Sequence, residues 1–159
     1  MAGYQIENVK NRKSQYDMLK ELELSYDTFT QIKKHCDEIG IQFLSTADEE
    51  ESLDFLICLG VPFIKLGSGD ITNVPYLRLV GKKNLPVILS TGMSYLSDVE
   101  RAILILRDCG VSEIILLHCT TNYPCPMEEV NLNAMQTLKC AFKFEVGYSD
   151  HTMGIEVPI

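Results

Sequence analysis

The sequence predicts an α/β fold in which a parallel β-sheet is covered by helices on both faces. Five short apolar segments alternate with segments of helical period, and several of these segments are apolar at nearly every position. Strands of that kind lie in parallel sheets that are covered on both sides. A glycine also stands repeatedly between a helical segment and the apolar segment that follows it.

The five predicted strands are placed by these junctions. Gly40, Gly60 and Gly110 each follow a helical segment, and glycine readily takes the left-handed backbone that ends a helix. The three junctions predict strands at 41–46, 61–67 and 113–118. Two further apolar runs predict strands at 86–91 and 144–149.

The segments between the strands have helical starts as well as helical period. Ser25 precedes a stretch with one apolar face. Asp48 with Glu51, and Ser97 with Glu100, have the spacing of capping boxes, in which each side chain bonds a free backbone N–H of the helix start. We therefore predict helices that begin after Ser25, Asp48 and Ser97.

Two architectures satisfy this order of elements: an open five-stranded doubly wound sheet, and part of an eight-stranded (β/α) barrel. The length of 159 residues favours the first, because a complete barrel needs about 250 residues. The strand ends favour the second, because every strand finishes in small polar or ionisable residues, at 45–46, 65–68, 90–91, 118–121 and 148–151. No strand precedes the first helix and the last segment stops where another helix would begin, so we expect a fragment.

The composition disfavours several classes of binding partner. Fourteen Lys and Arg against 22 Asp and Glu give a net charge of −8, which disfavours nucleic acid and membrane surfaces. Residues 1–20 lack the apolar centre of a signal peptide, and no apolar run approaches the ~20 residues that span a bilayer. We expect a cytoplasmic protein.

The six cysteines contain no C-x-x-C pair, and four of them fall in helical segments. We therefore interpret them as buried reduced thiols rather than as disulfides or a zinc site.

Lys65 is the first candidate functional residue. It lies in an apolar strand and is followed by Gly67-Ser68-Gly69-Asp70. A buried ammonium group is costly unless an anion meets it, so Lys65 is either paired with a carboxylate or available for an anionic ligand. The alternative is a lysine at a strand end whose ammonium reaches water.

Three other strand ends carry candidate residues. Ser90 and its neighbours could hold phosphate oxygens, or could form an ordinary turn. Thr121 and Tyr123 could hydrogen-bond a polyhydroxylated substrate, or could be a turn and a packed ring. His151 follows a tyrosine, a serine and an aspartate, and one histidine makes a metal site only with partners from elsewhere.

Together these segments resemble the sialic acid synthase family (N-acetylneuraminate synthase-like), whose members condense phosphoenolpyruvate with N-acetylmannosamine or a related N-acyl sugar to give a sialic (nonulosonic) acid and phosphate. The similar segments are 14–24, 43–46, 62–70, 87–93, 117–124, 129–132 and 147–152. The resemblance implies a partial (β/α)8 TIM barrel, about strands 3 to 7. It also implies that residues 1–159 form a single incomplete barrel domain, with the family's C-terminal antifreeze-like domain absent.

The resemblance also implies roles for single residues. Lys65 and Asp70 would be catalytic, and Thr121 and Tyr123 would contact the sugar. His151 would be one of two histidine ligands of a divalent metal, usually Mn²⁺, with the second histidine outside this chain. The phosphoenolpyruvate contacts would be Thr46, Lys65, Ser68, Ser90 and Ser149. The complete parent protein would be a homodimer, and this chain alone would be inactive.

Two departures leave the acceptor sugar open: the family usually has Ser-Thr-Pro-Phe at 45–48, where this chain has Ser-Thr-Ala-Asp, and its bacterial members often have Asn at the position of Thr121. Two alternatives stand beside the synthase. One is a non-catalytic, anion-binding domain with an open flavodoxin-like sheet. The other is a related barrel aldolase in which Lys65 forms a Schiff base.

Overall fold

The computed structural model describes residues 14–159, and the chain divides into two compact units, 1–43 and 44–159. The prediction that no strand precedes the first helix concerns residues 1–13, which lie outside the described part. The prediction of one incomplete barrel domain over 1–159 stays a prediction.

The first unit contains helices α1 (Gln15–Leu22) and α2 (Tyr26–Ile39). The Ser14 side chain accepts a hydrogen bond from the backbone N–H of Asp17, and Ser25 accepts one from Thr28. The predicted helix start after Ser25 is therefore confirmed. Gly40 ends α2 with a φ of 73°, the left-handed backbone expected at that junction.

The second unit is built on a four-stranded parallel sheet with the order β1-β2-β3-β4. The strands are β1 (Ile64–Leu66), β2 (Val87–Ser90), β3 (Ile114–His118) and β4 (Glu145–Tyr148). Each strand pairs with the next one along the chain, so that Lys65 lies opposite Ile88 and Ser90 opposite Leu117. The predicted α/β fold with a parallel sheet is confirmed.

The prediction of a strand at 41–46 is wrong, because these residues form no β-strand. Their one ladder contact is an isolated parallel bridge between Thr46 and Lys65. The segment crosses the boundary between the two units, and Ile41 and Leu44 are exposed. A strand covered on both faces would have buried these two side chains, so their apolar character alone misled the prediction.

In the second unit one helix precedes β1, and three helices with two short 3₁₀ turns connect the four strands. The helices are α3 (Glu50–Cys58), α4 (Val74–Gly81), α5 (Leu96–Asp108) and α6 (Asn133–Phe142), and the turns are Ser68–Asp70 and Met127–Glu129.

Both predicted capping boxes are wrong by one or two residues. At α3 the Glu49 carboxylate accepts from the backbone N–H groups of Glu51 and Ser52. At α5 the Asp98 carboxylate accepts from the backbone N–H of Tyr95 at 3.0 Å. Neighbouring acidic and hydroxyl residues give overlapping capping signals, and the backbone path decides which side chain reaches the free N–H groups.

The helices cover one face of the sheet. Leu66, Leu89 and Leu116 are fully buried on that face, while Ile88 and Ile115 on the other face are only half-buried. This differs from the prediction of helices on both faces. Right-handed crossovers between strands that are sequential neighbours place successive helices on the same side. The described strands show none of the reversal of order that a doubly wound sheet requires.

All six cysteines are free thiols. Cys119 and Cys125 are buried, whereas Cys58 and Cys140 are exposed, so the prediction of buried thiols is wrong for those two. Both lie on the solvent side of helices, a position that the sequence pattern did not distinguish from the buried side. No helix among the described residues is both long and apolar enough to cross a membrane.

Gly81 tests the packing of α4 against α5. It is buried at the end of α4, and a Cβ added there would lie 2.4 Å from the Cβ of Cys109. We predict that Gly81→Ala lowers the free energy of unfolding by about 1–3 kcal/mol, because the two helices must move apart. Urea denaturation monitored by circular dichroism measures the change.

Gly69→Ala is the matched control, since no atom lies within 4 Å of the added Cβ at this exposed position. We expect it to change the free energy of unfolding by less than about 0.5 kcal/mol. A Gly81→Ala protein as stable as the Gly69→Ala protein would contradict the close packing of α4 on α5.

Candidate active site

The candidate site lies at the edge of the sheet where the four parallel strands end. Lys65 is in β1, Ser90 is the last residue of β2, and Ser149 follows β4. Thr121 and Tyr123 lie in the loop after β3. Because parallel strands end at the same edge, the fold gathers residues that are far apart in the chain.

Lys65 is held by neutral partners. Its Nζ donates to the Ser90 hydroxyl at 2.8 Å and to the backbone carbonyl of Leu66 at 3.0 Å, and Thr46 is its bridge partner. No carboxylate within residues 14–159 forms an ion pair with it. Burial lowers the pKa of Lys65 from its ordinary value. A half-buried cation without a counter-charge is suited to an anionic ligand.

Gly92 allows the loops after β1, β2 and β3 to meet. Its φ is +39°, and an added Cβ would lie 2.4 Å from the Cβ of Ser68 and 2.7 Å from the Thr121 hydroxyl. The two hydroxyls are 3.4 Å apart. Any side chain at Gly92 would therefore separate Ser68 from Thr121.

His151 lies beside Tyr123 and Ser149. Its Nδ1–H donates to the backbone carbonyl of Thr120 at 2.6 Å, which leaves a lone pair on Nε2. The Ser149 hydroxyl lies 3.4 Å from Nε2, and the Tyr123 ring centroid lies 4.2 Å from that of His151. A carbonyl acceptor behind the ring is the usual support of a metal-binding histidine.

The donor chemistry at His151 therefore fits one ligand of a divalent metal. No group of three or more potential metal ligands gathers anywhere in the described part of the chain. These residues thus supply one nitrogen ligand, and the complete ligand set would need others.

Asp150 orients the segment that carries His151. Its carboxylate accepts from the Thr152 backbone N–H at 3.0 Å, the Thr152 hydroxyl at 2.9 Å and the Tyr148 hydroxyl at 3.1 Å. The Thr152 N–H contributes most to holding the pKa of Asp150 below its usual range. Burial and the Asp150 hydrogen bond raise the pKa of Tyr148 to about 12. The alternate polar residues 148, 150 and 152 were the sequence signal for this network, which the sequence analysis did not identify.

Asp70 stands apart from these contacts. It lies in the turn Ser68–Asp70, and no hydrogen bond within residues 14–159 joins its side chain to another candidate site residue. Burial and then the charge of Asp48 raise the pKa of Asp70, and a hydrogen bond with Asn73 opposes the shift. Its predicted catalytic role stays a prediction.

Replacing Lys65 tests how much its buried charge lowers the stability of the folded chain. We predict that Lys65→Met leaves the melting temperature at pH 7 unchanged or raises it, since methionine fills much of the same space without a buried cation. Below the lowered folded-state pKa, Lys65 is protonated in both the folded and the unfolded chain, and the folded chain bears the full cost of burying the charge. As the pH rises through the lowered folded-state pKa towards 10.5, that cost disappears, so the benefit of methionine should shrink.

Differential scanning calorimetry between pH 7 and pH 10.5 measures this trend, and Lys82→Met, at an exposed position, is the control. A Lys65→Met protein that melts well below the wild type at pH 7 would show that the ammonium group stabilises the fold.

Comparisons with known proteins show the family of this chain. A family model described as the NeuB family matches residues 1–159. An N,N'-diacetyllegionaminic acid synthase of Legionella pneumophila is 48% identical over 161 residues, which cover 99% of this chain and 45% of that protein. An N-acetylneuraminate-9-phosphate synthase of Drosophila melanogaster is 39% identical over 135 residues, which cover 84% of this chain and 36% of that protein.

A solved structure is also similar: the N-acetylneuraminic acid (sialic acid) synthetase of Leptospira borgpetersenii serovar Hardjo-bovis in complex with citrate. The TM-score is 0.87 at 35% identity, covering 96% of this chain and 53% of that one. The chain spans about half the length of the curated relatives that it matches. The resemblance to the sialic acid synthases is confirmed, and the chain belongs to the NeuB family.

Proposed function

We propose that the chain is the part of a nonulosonic acid synthase that holds phosphoenolpyruvate and meets the acceptor sugar. The observation that carries the proposal is the Lys65 ammonium group, which is held by Ser90 and a backbone carbonyl and has no carboxylate partner in the described residues. The chain belongs to a family that includes sialic and legionaminic acid synthases, and this membership supports phosphoenolpyruvate as the anion that Lys65 binds. The reaction itself is proposed for the complete protein.

Phosphoenolpyruvate carries a phosphate and a carboxylate on three carbons, so its site needs a cation and several short donors. Lys65 supplies the cation, and the hydroxyls of Ser68 and Ser90 lie at neighbouring strand ends. In the proposed complex, two further hydroxyls bind phosphoenolpyruvate. Thr46 supplies one beside β1, and Ser149 supplies the other after β4. Charge-assisted hydrogen bonds of this kind are about twice as strong as neutral ones.

The acceptor is proposed to be an N-acyl hexosamine in its open-chain form. Thr121 and Tyr123 lie between the Ser68 side and the His151 side of the site, where a long polyhydroxylated chain would pass. Relatives named for legionaminic and for neuraminic acid synthesis both belong to this group of proteins. N-acetylmannosamine is thus one member of the proposed class.

In the proposed reaction, C3 of phosphoenolpyruvate attacks the aldehyde carbon and a carbon–carbon bond forms, while the aldehyde oxygen gains a proton. Water then adds at C2, and the bond from C2 to the phosphate oxygen breaks, which releases phosphate. Lys65 and the hydroxyls hold the anionic groups throughout, so that the donors already face the charge that develops. His151 would supply one ligand of a divalent metal such as Mn²⁺, which when bound polarises the aldehyde as a Lewis acid.

We also propose that the four strands belong to a (β/α)8 barrel. Their order β1-β2-β3-β4 without reversal and the helices on one face of the sheet support this arrangement. The half-buried Ile88 and Ile115 would then face the interior of the closed barrel.

Phosphoenolpyruvate binding tests the role of Lys65. We predict that Lys65→Met weakens phosphoenolpyruvate binding to the complete protein by at least about tenfold, because a hydrogen bond to a charged group contributes about 1.5–3 kcal/mol. Isothermal titration calorimetry measures the dissociation constant. Lys82→Met removes the same charge at an exposed position and should bind like the wild type.

Unchanged phosphoenolpyruvate affinity in Lys65→Met would reject the proposed role. Borohydride treatment with pyruvate tests the aldolase alternative on the same samples. A covalent adduct on Lys65 would favour the Schiff-base mechanism, whereas the proposed condensation forms none.

His151 tests the metal proposal. We predict that His151→Ala weakens Mn²⁺ binding to the complete protein at least about tenfold while the melting temperature changes little, because the side chain is a ligand and not part of the core. Electron paramagnetic resonance of free Mn²⁺ measures the binding. His35→Ala, on the exposed side of α2, is the matched control. Equal Mn²⁺ affinity in the two variants would contradict the assignment.

A further inference from the structure

A second cleft, of about 360 Å³, lies on the helix side of β2 and β3. Residues at and just after the ends of these two strands line it, together with residues of α5 and α6. None of the residues proposed to hold phosphoenolpyruvate or the acceptor sugar is among its lining residues. Its volume is within the usual range for small-molecule sites, about 300–1,000 Å³.

His118 lines this cleft and is 7% exposed. Its Nε2–H donates to the backbone carbonyl of Val130 at 2.8 Å, so Nδ1 carries a lone pair. Nδ1 has no hydrogen-bond partner within residues 14–159. Every side-chain nitrogen or oxygen in that range that is fully enclosed does have a partner, so Nδ1 is not fully enclosed. It follows that Nδ1 is accessible, and the cleft is the space that the His118 ring lines.

Uncharged hydrogen-bonding groups line the cleft together with His118. The side chains of Ser94, Asn131 and Asn133 line the cleft, and none of the three makes a side-chain hydrogen bond in the described structure. Hydroxyl and amide groups of this kind offer both donors and acceptors.

The other residues that line the cleft restrict the class of ligand that it can bind. Val99 of α5 and Leu138 of α6 are buried apolar residues, and no charged side chain among the described residues lines the cleft. A charged ligand would lose its hydration without gaining a counter-charge. A neutral hydroxylated ring would place a hydroxyl donor on His118, oxygens on the asparagine amides and its C–H face on the apolar wall.

We propose that this cleft is a second binding site, which takes a neutral hydroxylated molecule of monosaccharide size through a hydroxyl that donates to His118 Nδ1. The proposal is independent of the proposed synthase reaction, because His118 and the asparagines of the cleft are not among the proposed substrate contacts, although Gly92 borders both sites. Three neutral probes test it: myo-inositol, glucose and N-acetylglucosamine. Inorganic phosphate is the anionic probe.

The readout is the Nδ1 nitrogen signal of His118 in long-range ¹H–¹⁵N spectra of the protein. We expect at least one neutral probe to shift this signal saturably, with no saturable shift from phosphate. Ala134→Met, which fills the cleft from α6, should weaken the binding at least about tenfold. Ala141→Met makes the same change at an exposed position of α6 and should have no effect.

Ser94→Leu fills the cleft from the other side and replaces Ala134→Met if that variant does not fold. Lys65→Met should leave the shift of the His118 signal unchanged, which separates this cleft from the candidate active site. The proposal is overturned if no neutral probe gives a saturable shift, if the folded cleft variant binds as the wild type does, or if phosphate binds more tightly than the neutral probes.

Discussion

The unbroken parallel order of the four strands is the constraint on which the candidate site depends. β1 to β4 are neighbours both in sequence and in the sheet, so their carboxyl ends share one edge. Lys65 and Ser90 are separated by 25 residues and meet only because β1 and β2 pair in this register. Ser68 and Thr121, separated by 53 residues, meet at the same edge across Gly92. A one-residue slip would turn these side chains to the opposite face.

Lys65 illustrates how this arrangement favours binding at a cost in stability. Its ammonium group is partly removed from water and receives only neutral partners in the described residues, so burial lowers its pKa. A carboxylate neighbour would remove that cost and would also occupy the place of an anionic substrate. His151 is likewise left able to bind a ligand. Its Nδ1–H donates to the Thr120 carbonyl, while Nε2 keeps its lone pair.

The alternation of side chains along each strand separates two possible sites at the same edge. Ser90 faces Lys65, whereas the following residue, Thr91, lines the cleft on the helix side. In β3 the residue before His118 is half-buried on the face of Lys65, and His118 itself is buried among the helices. Adjacent residues of one strand therefore serve different surfaces, which is a direct result of the two-residue period of a β-strand.

The sequence by itself determined the features that depend on near neighbours. The left-handed glycines at helix ends, the cap at Ser25 and the polar residues at strand ends follow from local sterics and local hydrogen bonds, and the linear order of these motifs was enough to indicate the family. The tertiary structure alone decided that 41–46 forms a single bridge, that the helices share one face, and that Thr120 supports His151. These outcomes depend on strand register and on the path of distant segments, because a side chain or carbonyl finds its partner only after residues remote in sequence have been brought together.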